Sequence, residues 1–297
     1  MKNIPAIFLL LILPVIGFAQ SSVKVREVML AMSKGANNGF EVEIPLSNAK
    51  DVAHDWKRRL TAGSKARLTE TNGEIAMHGW EDKEITQKLF NLYSIISSTE
   101  NGVKLTVWFT YNDTAFFTTK SGKADATAAS RFVHDFGAAE YFLAVKNEHQ
   151  KAREKLDKLK DELEKNVRIE EKSNQVITED RRAITRTQDD LATNDNDQKE
   201  ATANIATQQA EVTKARAGNA AVYSAASKSL EEQQDEKKKL QSRADDLHKK
   251  IDGWNKEIAA EGKNLATAKQ AETQATDAIT KQKLLIKDLE AKLKTIR

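Results

Sequence analysis

The chain has no cysteine among its 297 residues, so neither a disulfide nor thiol chemistry is open to it. Its three prolines are Pro5, Pro14 and Pro45, and none interrupts the rest of the chain, which suits helices that run unbroken. Glycine is scarce in the same stretch: after Gly137 only Gly218, Gly253 and Gly262 remain. Aromatic residues are 6% of the chain, and beyond Val145 the only ones are Tyr223 and Trp254. One aromatic-rich compact core is therefore expected, within about residues 22–143. Charge of one sign is also lacking. The net charge is +3, with 15 basic and 15 acidic side chains in residues 20–144. Neither half carries the basic excess of a nucleic-acid binder.

The only long apolar run is at the N-terminus. Met1-Lys2-Asn3 precedes Ile4–Phe18, and Gly17-Phe18-Ala19 supplies small residues at −3 and −1. This reads as a secretory signal peptide over residues 1–19, cleaved after Ala19. A membrane anchor is disfavoured, because the run is short and contains Pro14. The expected mature chain is exported, periplasmic or extracellular, with no membrane span. The missing cysteines lean towards a bacterial envelope.

Residues 20–143 read as an α+β domain. Val23, Val25, Val28, Leu30 and Met32 nearly alternate with polar residues, and Phe40, Val42 and Ile44 alternate with Glu41 and Glu43. Gly35-Ala36-Asn37-Asn38-Gly39 lies between these two strands. Asn72-Gly73 separates Ala66–Thr71 from Glu74–His78, and Asn101-Gly102 separates Leu89–Ser97 from Val103–Tyr111. Asn-Gly favours type I′ turns, so three such dipeptides predict an antiparallel sheet of three hairpins. A helix capped by Ser47 or Asn48 places Val52, Trp56 and Leu60 on one stripe. A second begins near Asp125 and would pack Phe132, Phe136, Ala139 and Leu143 on the sheet.

What the chain does have in quantity is a heptad repeat. Leu156, Leu163, Ile177, Ile184, Leu191, Ile205 and Val212 share one phase, broken only by Glu170 and Gln198. Tyr223, Leu230, Ala244, Ile251, Ile258, Leu265, Ile279, Ile286 and Leu293 share another, broken by Lys237 and Glu272. Repeats of 3.5 residues per turn make a seam that must pair with another helix. Residues 144–297 are thus an all-α coiled coil. The phase slips around Gly218-Asn219, residue types that tolerate a left-handed helix end. An antiparallel helical hairpin is expected, with arms of about 139–217 and 219–297 folded there; it is favoured as a monomer over a parallel homodimeric rod. Folding about Asn219 sets Leu191 against Leu247, Ile184 against Trp254 and Phe142 against Ile296. Polar seam residues such as Asn166, Ser173, Asp180 and Asn194 weaken the pairing while fixing its register.

Motifs for chemistry are missing. His54, His78, His134, His149 and His248 are not at metal-ligand spacing, and His134-Asp135 has no nucleophile motif beside it. Ser33-Lys34-Gly35 lacks the glycines of a phosphate loop and reads as a turn. The expectation is a non-enzyme with no catalytic residue, cofactor or metal. Candidate partner contacts are Trp80 and Trp108, which could stack on sugar rings, the cluster Lys57, Arg58 and Arg59, and the fold-back at Gly218 and Asn219. Asn112-Asp113-Thr114 matches an N-glycosylation pattern, and Asp113-Thr114-Ala115 a short O-glycosylation pattern.

The layout resembles envelope proteins that join a small domain to a coiled-coil hairpin, such as periplasmic adaptors and activators of cell-wall amidases. The likeness is architectural. Adaptors insert the hairpin within a β-domain, whereas here it follows one, and no residue roles carry over. The expected function is an exported coiled-coil scaffold that meets protein partners through the coil. The alternative is a glycan- or peptide-binding module on residues 22–143, carried on a spacer.

Overall fold

The computed structural model describes residues 23–120 and 122–296; the expected signal peptide lies outside them. The elements run β1 (Val25–Met32), β2 (Gly35–Pro45), α1 (Ala49–Thr61), β3 (Arg67–Thr71), β4 (Glu74–Trp80), β5 (Phe90–Thr99), β6 (Gly102–Thr110), α2 (Lys123–Ala215) and α3 (Ala220–Thr295). They form two compact units. Of the described residues, the first takes in those up to Lys155 together with those from Gln282 onward, and the second is Leu156–Lys281.

In the first unit six strands make one antiparallel sheet in the order β1-β2-β6-β5-β4-β3. The β1–β2 hairpin forms one side. Helix α1 then carries the chain to the far edge, and β3 to β6 return strand by strand until β6 pairs with β2. Asn48 caps α1, its side chain accepting from the Asp51 amide at 2.9 Å. The expected stripe of Val52, Trp56 and Leu60 is fully buried. The Trp56 indole N–H would be costly to bury without a partner, and it donates to the Ser94 hydroxyl at 2.8 Å.

Two of the three Asn-Gly dipeptides are not the turns they suggest. Asn72-Gly73 is one, with φ of 53° and 80°. In the first hairpin Met32 pairs with Gly35, so Ser33-Lys34 is the turn and Gly35–Gly39 belong to β2. Gly39 serves another purpose: an added Cβ would lie 2.8 Å from the Trp108 ring. In the third hairpin Thr99 pairs with Gly102, which makes Glu100-Asn101 the turn. Gly102 lets the neighbouring strand come close, since its Cβ would lie 2.3 Å from the Ile44 carbonyl oxygen.

Helix α2 begins on the sheet and continues into the coil without a break, as the absence of breakers implies. Its buried face is not wholly the expected one. Phe132 and Phe136 are buried, but Ala139 and Leu143 are exposed, and Val133, Tyr141 and Val145 are buried instead. The cause is Gly137. A Cβ there would lie 2.7 Å from Val42 and 3.2 Å from Val23, so the helix meets the sheet at its backbone. That contact turns the row at i, i+4 from Gly137 inward and Phe142 outward, away from its expected partner Ile296. The end of α3 joins the same core, where Leu289 is buried and Ile286, Leu293 and Ile296 pack against it. Gln282 donates to the Ala152 carbonyl at 2.9 Å, and His149 approaches Glu290 at 3.4 Å.

In the second unit α2 and α3 run antiparallel as a helical hairpin. Ser173 donates to Glu261 at 2.7 Å, Lys269 pairs with Glu170 at 3.4 Å, and Gln208 donates to the Ala226 carbonyl at 3.3 Å. Each contact falls within about one turn of the expected register. The most buried α2 positions are polar: Ser173, Asp180, Thr187 and Asn194, seven residues apart. Ile177, Ile184 and Leu191 flank them half-buried. One Asp180 carboxylate oxygen and the Asn194 amide nitrogen have no partner.

Three outcomes are expected in denaturant unfolding. Gly39→Ala should lower stability by about 1–3 kcal/mol through overpacking on Trp108, whereas Gly253→Ala, in open space within α3, should raise it by about 1 kcal/mol. Asp180→Leu should stabilise the coil by about 1–3 kcal/mol, because it removes a buried acceptor without a donor.

Candidate functional site

The fold-back of the hairpin is built without a left-handed residue. Gly218 does not have positive φ, contrary to the expected helix end. The last turn of α2 tightens instead, with the Gly218 amide donating to the Ala215 carbonyl at 3.0 Å. Asn219 opens α3, its side chain accepting from the Ala221 amide at 2.8 Å. A Cβ at Gly218 would make only an ordinary contact, 3.6 Å from the Ala215 carbonyl oxygen, so it is Asn219, capping the next helix, that marks the turn. Immediately beyond them Val222 and Tyr223 are 57% and 40% exposed. Tyr223 opens the second heptad row, so a seam position has become a surface one. The sequence reading missed this pair, since the heptad phase assigns Tyr223 inward.

The other candidates are engaged within the first unit. Trp80 and Trp108 are 5% and 1% exposed. Trp80 packs on Phe90 and Phe132 with ring centroids 5.3 and 5.4 Å away. Trp108 lies on the opposite side of the sheet with Ala76 and Tyr93, and donates to the Asn37 carbonyl at 3.1 Å. Neither ring offers a face on which a sugar could stack. In the basic cluster Lys57 pairs with Glu70 at 2.6 Å and Arg58 with Asp55 at 3.0 Å. The Arg59 guanidinium lies 5.1 Å from the centre of the Phe132 ring. The three cations are spent on the domain's own groups rather than gathered for an anion.

The second face of the sheet carries a polar group that motif reading did not assemble. The β1–β2 turn reaches across it: the Ser33 amide donates to the Glu74 carboxylate at 2.9 Å, and Lys34 pairs with Asp113 at 3.3 Å. Asp113, at φ 59°, also accepts from Asn91 at 2.9 Å and Tyr93 at 2.8 Å. Burial pushes the Asp113 carboxyl up, but the bonds from Asn91, Tyr93 and Lys34 outweigh it and hold its pKa below the usual value. Burial and the Asp113 carboxylate both raise the Tyr93 phenol. A phenol held protonated against a carboxylate held ionised is a structural clasp, without a free base or nucleophile. In the same loop Asn112 accepts from the Thr114 amide and hydroxyl and from the Ala115 amide, at 3.3, 2.8 and 3.0 Å. Thr114 is exposed.

Glu140 is the most perturbed carboxyl. It is 9% exposed on the α2 face turned to α1. Burial raises its pKa to about 7, the Asp55 and Asp51 carboxylates add to the rise, and Arg58 opposes it. No group of His, Cys, Asp and Glu among the described residues is placed to hold a metal ion. No helix among them is long and apolar enough to cross a membrane. In comparisons with known proteins, the chain matches no family model and no curated sequence.

The Glu140 geometry sets a pH dependence. Its folded pKa lies above the ordinary 4.5, so the contribution is complete below that value and lost as pH rises through about 7. Glu140→Gln should therefore gain about 1–2 kcal/mol over the parent above neutrality and flatten the fall of the unfolding midpoint between those two pH values.

Proposed function

We propose that the protein is an exported, non-enzymatic scaffold of the cell envelope that meets a protein partner through its helical hairpin. The observation that carries this reading is the fold-back. At its turn the hairpin leaves Val222 and Tyr223 exposed beside Gly218 and Asn219. Apolar and aromatic side chains held on a capped helix lose little freedom on binding, which is why such positions anchor interfaces. The polar layers at Ser173, Asp180, Thr187 and Asn194 fit the same role, because they fix the register that positions the turn. The hairpin pairs α2 with α3 of the same chain, so its turn is not half of a two-chain rod. Export rests on the leader-like residues 1–19. The glycan-module alternative is not carried further, since Trp80 and Trp108 are buried and the Lys57–Arg59 cations are engaged.

A photo-crosslinking amino acid placed at Tyr223 in cells should yield one dominant protein adduct, and the same probe at exposed Lys239 on the shaft should not. Val222→Ser should deplete a Val222-dependent adduct several-fold while leaving helicity unchanged. Equal adduct patterns at the two positions would sink the proposal.

A further inference from the structure

The two edges of the sheet are built differently. At one edge β3 is five residues long, Arg67–Thr71, and carries Arg67 and Glu70. Short, charged strands are how soluble proteins stop other strands from adding on. At the other edge β1 is eight residues long, pairs with β2 in unbroken register from Val25 to Met32, and contains no proline or bulge. Its charges sit at one end and are occupied. Arg26 binds Glu41 at 2.9 Å, and Glu27 accepts from the Thr119 amide at 3.2 Å. The five residues that follow, Val28–Met32, are uncharged. Met29 is 69% exposed and Leu30 41% exposed, and as neighbours on a strand they point to opposite sides. Among the described residues no backbone hydrogen bond reaches β1 from any element but β2. The edge is a template with apolar side chains on both of its faces.

We infer that β1 pairs with β1 of a second copy, antiparallel about a two-fold axis at Met29, joining two sheets into one. The register follows from charge. Residues opposite each other in an antiparallel pair share a side of the sheet, so a two-fold axis must pass through a residue. An axis at Arg26 or Glu27 opposes like charges, and one at Val25 sets Lys24 against Arg26. An axis at Val28 puts Met29 against Glu27 and Leu30 against Arg26. An axis at Leu30 sets Arg26 against Lys34 and Met29 against the small Ala31, whereas the Met29 axis sets both exposed side chains against bulky apolar ones, Leu30 against Val28 twice and Met29 against its copy, and leaves Glu27 and Arg26 opposite Ala31 and Met32. The contact is narrow, about 23 Å for seven paired residues, so the dimer is weak and depends on concentration.

The chain's lack of cysteine makes the test direct, because a single introduced thiol reports alone. Opposite Cα atoms in such a pair lie about 4.5–5.5 Å apart, within disulfide range. Full-length Met29→Cys should oxidise to a covalent dimer about tenfold faster than Leu89→Cys, a 58%-exposed position away from the edge. Adding Leu30→Lys to Met29→Cys should abolish that advantage, and sedimentation equilibrium of the parent should show monomer and dimer in exchange. Equal rates for Met29→Cys and Leu89→Cys, or a parent that stays monomeric at every concentration, overturns the inference. So does a dimer that survives Leu30→Lys.

Discussion

The seat of α2 on the sheet at Gly137 is the contact on which the other features rest. Val42 and Val23 occupy the space a side chain would need, so the helix backbone itself lies on the strands. That approach orients the whole of the first turns: Phe132 and Phe136 reach Trp56 with ring centroids 5.7 and 4.7 Å away, and Glu140 is pressed against α1. Within this unit the same contact decides which residues of α2 face the sheet, Val133, Tyr141 and Val145 among them.

Much of this was legible in the sequence, and for a physical reason. The strand and helix periods, the Asn48 cap and the phase slip near Gly218 are local signals, and local signals survive folding. What could not be read were distances between segments remote in sequence. Asn38-Gly39 looks like a turn until Trp108, far along the chain, is laid across it. Ala139 and Leu143 complete a plausible stripe until Gly137 rotates the helix. The same limit applied to the candidate site. Lys57, Arg58 and Arg59 are a cluster in the sequence, but Glu70, Asp55 and Phe132 come to meet them from three directions. The buried polar row at Ser173, Asp180, Thr187 and Asn194 was visible as heptad spacing, yet its greater burial than the isoleucines beside it was not.

The chain divides its labour between two kinds of cohesion. The first unit has a dense aromatic core and few polar intrusions, and its stability is that of packed rings and β-branched side chains. The second has thin apolar packing, interrupted by unsatisfied polar atoms at Asp180, Asn194, Gln233 and Glu272. Such a seam is specific and weak. Pairing in the second unit is thus held by register more than by energy.

The return of α3 to the globular core has a consequence for how the chain is made. Gln282 and Ala152 are 130 residues apart, yet both belong to the first unit, whose core also needs Leu289. During synthesis Tyr141, Val145 and Ala152 are finished on the order of ten seconds before their partners emerge, at ordinary elongation rates. Throughout that interval an apolar helix face and an uncovered sheet edge stand open together. The core of the first unit is therefore complete only once α3 has been made and has brought Leu289 to it.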